Sequence, residues 1–213
     1  EFNKGKEDIL SLDPDGELFG AVILAAGWRP DELETGVASH LGYGTIPDVV
    51  TNVQFEKIAQ AGKIVRPSDG KEAKSVVFVQ SPGKSDDDSD FSYTGSVTSL
   101  LALKQTKPVC EDYEDGKAYV IYQHMRTPGL SENFYKGLQQ TEGIFLTKGE
   151  VVNVSNGGGS LLVEADNTLL GEEIQIKADM VVLASGMVPV TADDPVINLA
   201  YRQGPGFRDN KLF

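Results

Sequence analysis

One stretch, residues 75–105, limits the fold of this chain more than any other. Its apolar run at 76–79 is short and rich in β-branched side chains, which predicts a buried strand. Residues 97–113 favour a helix that is interrupted at Pro108, and the long polar loop between the two carries Pro82, Gly83 and four aspartates. A strand, a glycine-bearing turn and a helix open a dinucleotide-binding βαβ unit, but this turn is longer and more polar than that motif allows. What the loop holds is therefore the main functional question.

The rest of the chain predicts a compact α/β unit over residues 75–190, with a parallel sheet and a small β-meander. Residues 31–74 show little periodicity, and we expect a connecting segment there with a short helix capped by Thr51 or Asn52. A further helix capped by Ser131 and a hairpin turn at Asn156 follow. The predicted strands are residues 118–122, 144–146, 150–154, 161–165, 173–176 and 179–183.

A strand followed by small residues, Gly, two residues and Pro occurs twice, ending at Pro30 and at Pro189. We expect a hairpin over residues 8–27 to lead into the first copy. Small residues after a strand allow the close approach of another backbone or of a ligand, although for a single copy a tight structural turn is the favoured explanation. Recurrence favours a shared role for the small residues, which are Ala25, Ala26, Gly27, Ala184, Ser185 and Gly186.

Composition excludes several classes of function. The net charge of −13 argues against a nucleic-acid partner, because phosphate binding needs clustered Lys and Arg. Cys110 is the single cysteine and there are two histidines, so neither a disulfide nor a metal site is expected. No apolar run is long enough to span a membrane and no signal peptide is evident. The chain starts at Glu1 rather than Met, and we expect a processed protein or a fragment.

Two such strand–small–Gly motifs bracketing an α/β unit resemble the two-dinucleotide-binding fold of the pyridine nucleotide–disulfide oxidoreductases. In that family a Rossmann-like, three-layer NAD(P)-binding domain is inserted into an FAD domain. The resemblance implies a hairpin and crossing strand of the FAD domain at 1–30, a connecting segment at 31–74, the insertion at 75–190 and a return to the FAD domain at 191–213. It also implies that both triplets, Ala25-Ala26-Gly27 and Ala184-Ser185-Gly186, lie beside bound FAD.

A narrower resemblance is to the A subunit of heterodisulfide reductases, over most of residues 20–190. The blocks that carry it are Gly42-Tyr43-Gly44 to Pro47, Thr51 to Glu56, Arg66-Pro67-Ser68-Asp69-Gly70-Lys71, Val76 to Gln80, and Ala102-Leu103-Lys104-Gln105.

This chain departs from that family where the family carries cysteines. The corresponding residues are Ser81, Thr94, Thr98 and Ser99, and none offers the thiolate that iron–sulfur clusters need. The relative that best fits this loss is the A subunit of the quinone-interacting membrane-bound oxidoreductase complex of sulfate-reducing microbes. The resemblance implies an FAD-dependent electron-transfer subunit that is cytoplasmic, partnered by other redox subunits of a membrane-associated complex, and not itself inserted in the membrane.

Cofactor binding by the chain itself is not expected. It lacks the G-x-G-x-x-G of an FAD domain, so we expect FAD in the full-length parent and none in this fragment. NAD(P) is disfavoured because the loop after residue 79 lacks those glycines and carries aspartates that would repel a pyrophosphate. No catalytic residue is identified. Two alternatives remain open, an NAD(P)H-dependent disulfide oxidoreductase domain and a non-catalytic scaffold that docks subunits, with the acidic loop either solvated or facing a partner.

Overall fold

The computed structural model describes residues 25, 27–30, 33, 39–80 and 95–190. The chain divides into two compact units, with boundaries between Pro30 and Asp31 and between Gly186 and Met187. The predicted hairpin at 8–27 lies almost entirely outside the described residues, and the assignment of the ends to an FAD domain stays a prediction. The described elements are β1 (Trp28–Pro30), a 3₁₀ turn (Ser39–Leu41), β2 (Val49–Thr51), α1 (Asn52–Gln60), β3 (Ser75–Gln80), α2 (Gly95–Asp112), β4 (Lys117–Tyr122), α3 (Ser131–Gln139), β5 (Ile144–Asn156), β6 (Leu161–Asn167), β7 (Glu172–Ala178), β8 (Met180–Ala184) and β9 (Met187–Pro189).

In the first unit, β1 and β9 form an antiparallel pair in which Arg29 lies opposite Val188. In the second unit, the described strands form a seven-stranded sheet in the order β2-β8-β3-β4-β5-β6-β7. Pairing is parallel from β2 to β5 and antiparallel through β6 and β7. The predicted fold class, α/β with a parallel sheet and a β-meander, is confirmed.

The central strand β3 is buried on both faces. Val76 and Phe78 face the helices, while Val77 and Val79 face the meander, as the two-residue period of a strand requires. Each of these buried side chains contributes about 2 kcal/mol to stability by leaving water. The parallel part of the sheet is therefore the middle of three layers, with α1, α2 and α3 on one face and the antiparallel meander of β5, β6 and β7 packed against the other.

Residues 31–74, which we expected to be a connecting segment, contribute β2 and α1 to this unit. Thr51 caps α1 as predicted, because its side chain accepts a hydrogen bond from Gln54 N while the Gln54 side chain accepts one from Thr51 N. Phe55 of α1 then packs edge-to-face on Phe78, with ring centroids 5.3 Å apart.

The interruption predicted at Pro108 is wrong, because α2 runs unbroken from Gly95 to Asp112. Proline removes one backbone hydrogen bond, but the turns on either side of it are fixed by Leu103 and Val109, both fully buried. Packing of this apolar face against the sheet outweighs the local cost.

Two smaller predictions also need correction. Leu130, not Ser131, precedes α3, and no side chain caps that helix, because a tight turn over residues 128–133 already pairs the first amide groups. The two strands predicted at 144–146 and 150–154 are one strand, β5. Its first part pairs with β4 up to Lys148 and its second part pairs with β6 from Gly149 onward. Because one set of pairs begins where the other ends, the strand is not interrupted at Gly149.

The Arg66–Lys71 block is a clamp between loops. Arg66 donates two hydrogen bonds to the carboxylate of Asp69 and a third, of 2.6 Å, to the carbonyl of Gly159 in the β5–β6 hairpin. Ser68 of the same block is held by Asp48, the residue before β2, whose carboxylate accepts hydrogen bonds from both N and Oγ of Ser68. The block thus ties the meander to the β2 edge of the sheet.

In the part of the chain that the structure describes, no helix combines the length and the apolar character needed to cross a bilayer.

Candidate functional site

The carboxyl ends of β2, β8, β3, β4 and β5 meet at one edge of the sheet, because these strands are parallel. The chain winds from β3 to β4 and β5 on one side, and the meander returns it to β8 on the other side of β3. The strand order therefore reverses between β3 and β8. Open α/β sheets bind ligands in the crevice at such a reversal, so this edge is the candidate functional site.

Gln80 ends β3 at this point, opposite Ala184 of β8. Its side chain is 6% exposed, and its Nε2 donates a hydrogen bond to Ser99 Oγ in α2. Ser99 Oγ also accepts from the backbone N of Arg126, at 3.0 Å, and donates to the carbonyl of Gly95, at 2.7 Å. This hydroxyl thereby joins β3, α2 and the segment that follows β4.

A second polar group connects β8, α1 and α2. Ser185 Oγ donates to Asn52 Oδ1 at 2.9 Å, and Gln105 Nε2 donates to the Asn52 carbonyl at 2.9 Å and to Glu56 Oε2 at 3.0 Å. Lys104 Nζ lies 2.7 Å from the other Glu56 oxygen. Hydrogen bonds from Lys104 and then Gln105 lower the pKa of the Glu56 carboxyl below its ordinary value.

Two buried amide oxygens in these groups have no hydrogen-bond partner within the described structure, Gln80 Oε1 and Gln105 Oε1. The orientation of Gln105 is fixed, because a flipped amide would point its oxygen at two acceptors. A buried acceptor without a donor costs about 1–3 kcal/mol. Each of these two unpaired oxygens therefore lowers the stability of the folded state.

A cavity of about 530 Å³ lies beyond β4, between the start of α2 and α3. Arg126, Lys136 and Tyr135 line it, and Lys136 pairs with Glu132 at 3.0 Å. Burial and a hydrogen bond with Tyr135 raise the pKa of Tyr122, at the end of β4, to about 12. These groups can hold a polar ligand, but they do not assemble a nucleophile with a general base.

A second cavity, of about 560 Å³, lies beyond the outer edge of β2. Its walls are mostly apolar, with Gln54 and Lys57 of α1 as polar members. Among the described residues, no group of three or more His, Cys, Asp or Glu side chains could hold a metal ion. Cys110 is half-buried near the Gly116 carbonyl, and burial raises the pKa of its thiol, so that the neutral form is favoured.

The predicted site residues fall in both units. Ala25 and Gly27 belong to the first unit and are exposed, and Ala26 lies outside the described residues. In the second unit, Ala184 and Ser185 are buried and Gly186 is half-buried. Their contact with FAD stays a prediction.

Sequence reasoning missed the roles of Gln80, Ser99, Asn52 and Gln105. One signal was present, since Thr98, Ser99, Gln105 and Thr106 recur at helical spacing on the face of α2 that packs inward. Polar residues on an apolar face indicate internal hydrogen bonding.

No protein-family model matches the chain. Curated proteins do match it. An iron–sulfur A subunit of CoB–CoM heterodisulfide reductase from Methanopyrus kandleri is 30% identical over 201 residues, which cover 89% of this chain and 30% of that protein. The corresponding protein of Methanocaldococcus jannaschii is 30% identical over 178 residues, 80% of this chain and 27% of its own length. The A subunit of the ferredoxin/F420H2-dependent enzyme of Methanosarcina acetivorans is 31% identical, over 86% of this chain and 24% of that protein.

Among solved structures, thioredoxin reductase of Lactococcus lactis superposes with a TM-score of 0.47 at 14% identity, over 88% of this chain and 52% of that one. Thioredoxin reductase of T. acidophilum gives 0.46 at 14% identity, over 83% and 48%. The curated matches confirm the resemblance seen in the sequence: over most of its length, the chain is similar to a segment of the heterodisulfide reductase A subunits, and it spans about 24–30% of the length of those proteins.

Proposed function

We propose that this chain is part of an FAD-dependent electron-transfer subunit of the heterodisulfide reductase A type. The observation that carries the proposal is the 30% identity over 201 residues to a protein named as an iron–sulfur A subunit of CoB–CoM heterodisulfide reductase. FAD, when bound, would exchange electrons with neighbouring redox subunits. No proton-transfer role is assigned to a residue of this chain.

The exposed small residues at the first unit boundary support a flavin contact there. Gly27 has φ of +73°, and no atom of the described residues lies within 4 Å of the position that a Cβ would take. An open backbone without a side chain lets a flat group approach closely. At the second boundary Ser185 points its hydroxyl to Asn52, so a flavin would meet the backbone near Gly186 instead.

The finer proposal is quinone-linked electron transfer in sulfate reduction, in a cytoplasmic subunit held at the membrane by its partners. Its support is the sequence departure from the cysteine-bearing family, with Ser81, Thr94, Thr98 and Ser99 at the positions of the thiolates. Thr98 and Ser99 use their hydroxyls in hydrogen bonds to the Gly95 carbonyl. A loop without thiolates would leave the flavin as the electron carrier of this part of the protein.

The test uses the natural polypeptide that contains this chain, purified with its bound partners. We expect a flavin spectrum with about one FAD per polypeptide in a one-site flavoprotein. Gly27→Val should lower the FAD content severalfold, because it fills the open backbone. Gly70→Val is the matched control, since Gly70 has φ of +71° and equally open surroundings, but lies in the loop clamp. A colourless wild-type protein, or equal FAD loss in both variants, would contradict the flavin proposal.

A docking role is a second candidate, compatible with the first. Asn167 Oδ1 accepts hydrogen bonds from the amides of Leu169 and Leu170, and so fixes the β6–β7 turn with these leucines 69% and 68% exposed. A rigid apolar tip of this kind suits a redox partner with an apolar pocket. Leu169→Ser with Leu170→Ser should release the partners during purification, whereas Leu130→Ser, at an 88% exposed leucine elsewhere, should not. Retention of the partners by the double variant would refute the docking role.

A further inference from the structure

The crossing from β3 to α2 is where a dinucleotide-binding unit places its glycines. These glycines make the tight turn, let the backbone approach the pyrophosphate, and let the helix pack closely on the strand. All three roles depend on the absence of side chains. The fit of this crossing to a dinucleotide can therefore be judged from the side chains that occupy it.

Two side chains fill the space between the end of β3 and the first turns of α2. Gln80 is 6% exposed and Ser99 is fully buried, and they are hydrogen-bonded to each other. A glycine contact would let helix and strand touch directly. Here an amide and a hydroxyl lie between them.

Arg126 lies in the segment after β4, the strand next to β3 in the sheet. Its backbone N donates to Ser99 Oγ, and its side chain crosses Gly95 so closely that a Cβ on Gly95 would lie 2.9 Å from Arg126 Cδ. The missing side chain at Gly95 thus makes room for the arginine stem. It does not leave a bare backbone for a phosphate.

The unsatisfied polar atom of the crossing has the wrong polarity for a pyrophosphate. Gln80 Oε1 is a buried acceptor without a donor in the described structure. A pyrophosphate offers acceptor oxygens and negative charge, so it could not satisfy this oxygen and would be repelled by it.

We infer that this chain has closed its dinucleotide crevice with its own side chains, and that the Gln80–Ser99–Arg126 group is a strut that fixes α2 to β3. NADH and NADPH do not bind at this crossing. The inference goes beyond the proposed function, since FAD could be present or absent in either case. It removes the NAD(P)H-dependent disulfide oxidoreductase as a description of this unit.

The first experiment is titration of the 213-residue chain with NADH, NADPH and ADP-ribose at millimolar concentration, followed by amide chemical shifts. We expect the amides of residues 95–99 and of Arg126 to keep their shifts throughout. Saturable shifts at these amides would overturn the inference. Saturable shifts confined to other residues would support it, because they would show that the crossing stays closed while the nucleotide is present.

The second experiment tests the strut through hydrogen exchange of the Arg126 amide. Ser99→Ala removes its acceptor, and we expect exchange to accelerate about 5- to 10-fold, as loss of one hydrogen bond implies. Gln80→Ala should accelerate it less, because Ser99 Oγ remains. Ser96→Ala, in the same first turn of α2, is the control and should leave the rate unchanged. Equal exchange rates in Ser99→Ala and wild type would refute the strut.

Discussion

Ser185 Oγ donates a 2.9 Å hydrogen bond to Asn52 Oδ1, and both residues are buried. The bond ties the end of β8, one residue before the unit boundary at Gly186, to the first turn of α1. Residues that lie more than 130 positions apart in sequence thereby fix the point at which the chain leaves the sheet.

Ser185→Ala should lower the free energy of unfolding by about 1–3 kcal/mol, because Asn52 Oδ1 would stay buried without its donor. Urea unfolding followed by circular dichroism measures the change. Ser75→Ala is the control, since the Ser75 hydroxyl bonds to Lys177 O at an exposed position and should matter less. If Ser185→Ala instead lowered the FAD content of the natural polypeptide without loss of stability, Ser185 would act on the flavin directly.

Gln105→Glu should be more damaging, at about 2–4 kcal/mol, because it places a carboxylate against the Asn52 carbonyl and the Glu56 carboxylate. The loss should shrink on acidification, when the new carboxyl group can take up a proton and donate it. Unfolding free energies at two pH values measure this difference. Gln139→Glu, at the exposed end of α3, should show neither effect.

Arg66→Lys should lower the free energy of unfolding by about 1–3 kcal/mol, because a lysine cannot hold Asp69 with two hydrogen bonds and also reach Gly159 O. The Arg66 side chain is 11% exposed, so water replaces these bonds poorly. Lys71 pairs with the same Asp69 at 3.2 Å but is 74% exposed, and Lys71→Met should cost less than about 0.5 kcal/mol. Equal losses in the two variants would show that the clamp depends on charge alone.

Tyr122 should titrate near its raised pKa of about 12, which tyrosine ring shifts in an alkaline NMR titration would show. Tyr135→Phe should lower the pKa of Tyr122 but leave it above the ordinary value of 10.0, because burial is the larger cause. Since the folded pKa is raised, the stability linked to this phenol is complete below the unfolded pKa and is lost as pH rises through about 12. Tyr119→Phe is the control and should leave the Tyr122 titration unchanged.

The sequence predicted those elements whose determinants are local. The apolar run of β3 and the Thr51 cap of α1 depend on neighbouring residues, and both are confirmed. The three-residue strand β2 was missed because the one strand that pairs with it among the described residues is β8, more than 100 residues later. The continuity of α2 through Pro108 depends on burial against the sheet, which no local pattern reports.

The candidate site was predictable only in outline. The strand–loop–helix order pointed to the sheet edge where the carboxyl ends of the parallel strands meet, but the hydrogen bonds of Gln80 and Gln105 join residues 19 and 53 positions apart. Single-sequence patterns do not reveal such pairs. The loop at 81–94 was expected to decide the function, and the side chains that fill the crossing lie on either side of it.

The place of β8 in the sheet has a consequence for biosynthesis. It sits between β2 and β3, so Val77 on one side and Val49 on the other both pair with the same residue, Val181. A ribosome delivers β2 and β3 long before this partner. Until Val181 is synthesised, the nascent chain contains two apolar strands whose backbone N–H and C=O groups lack the β8 partner that lies between them. Such unpaired apolar strands bind chaperones and can pair incorrectly. Truncation before β8 should therefore yield an aggregating product rather than a smaller folded domain.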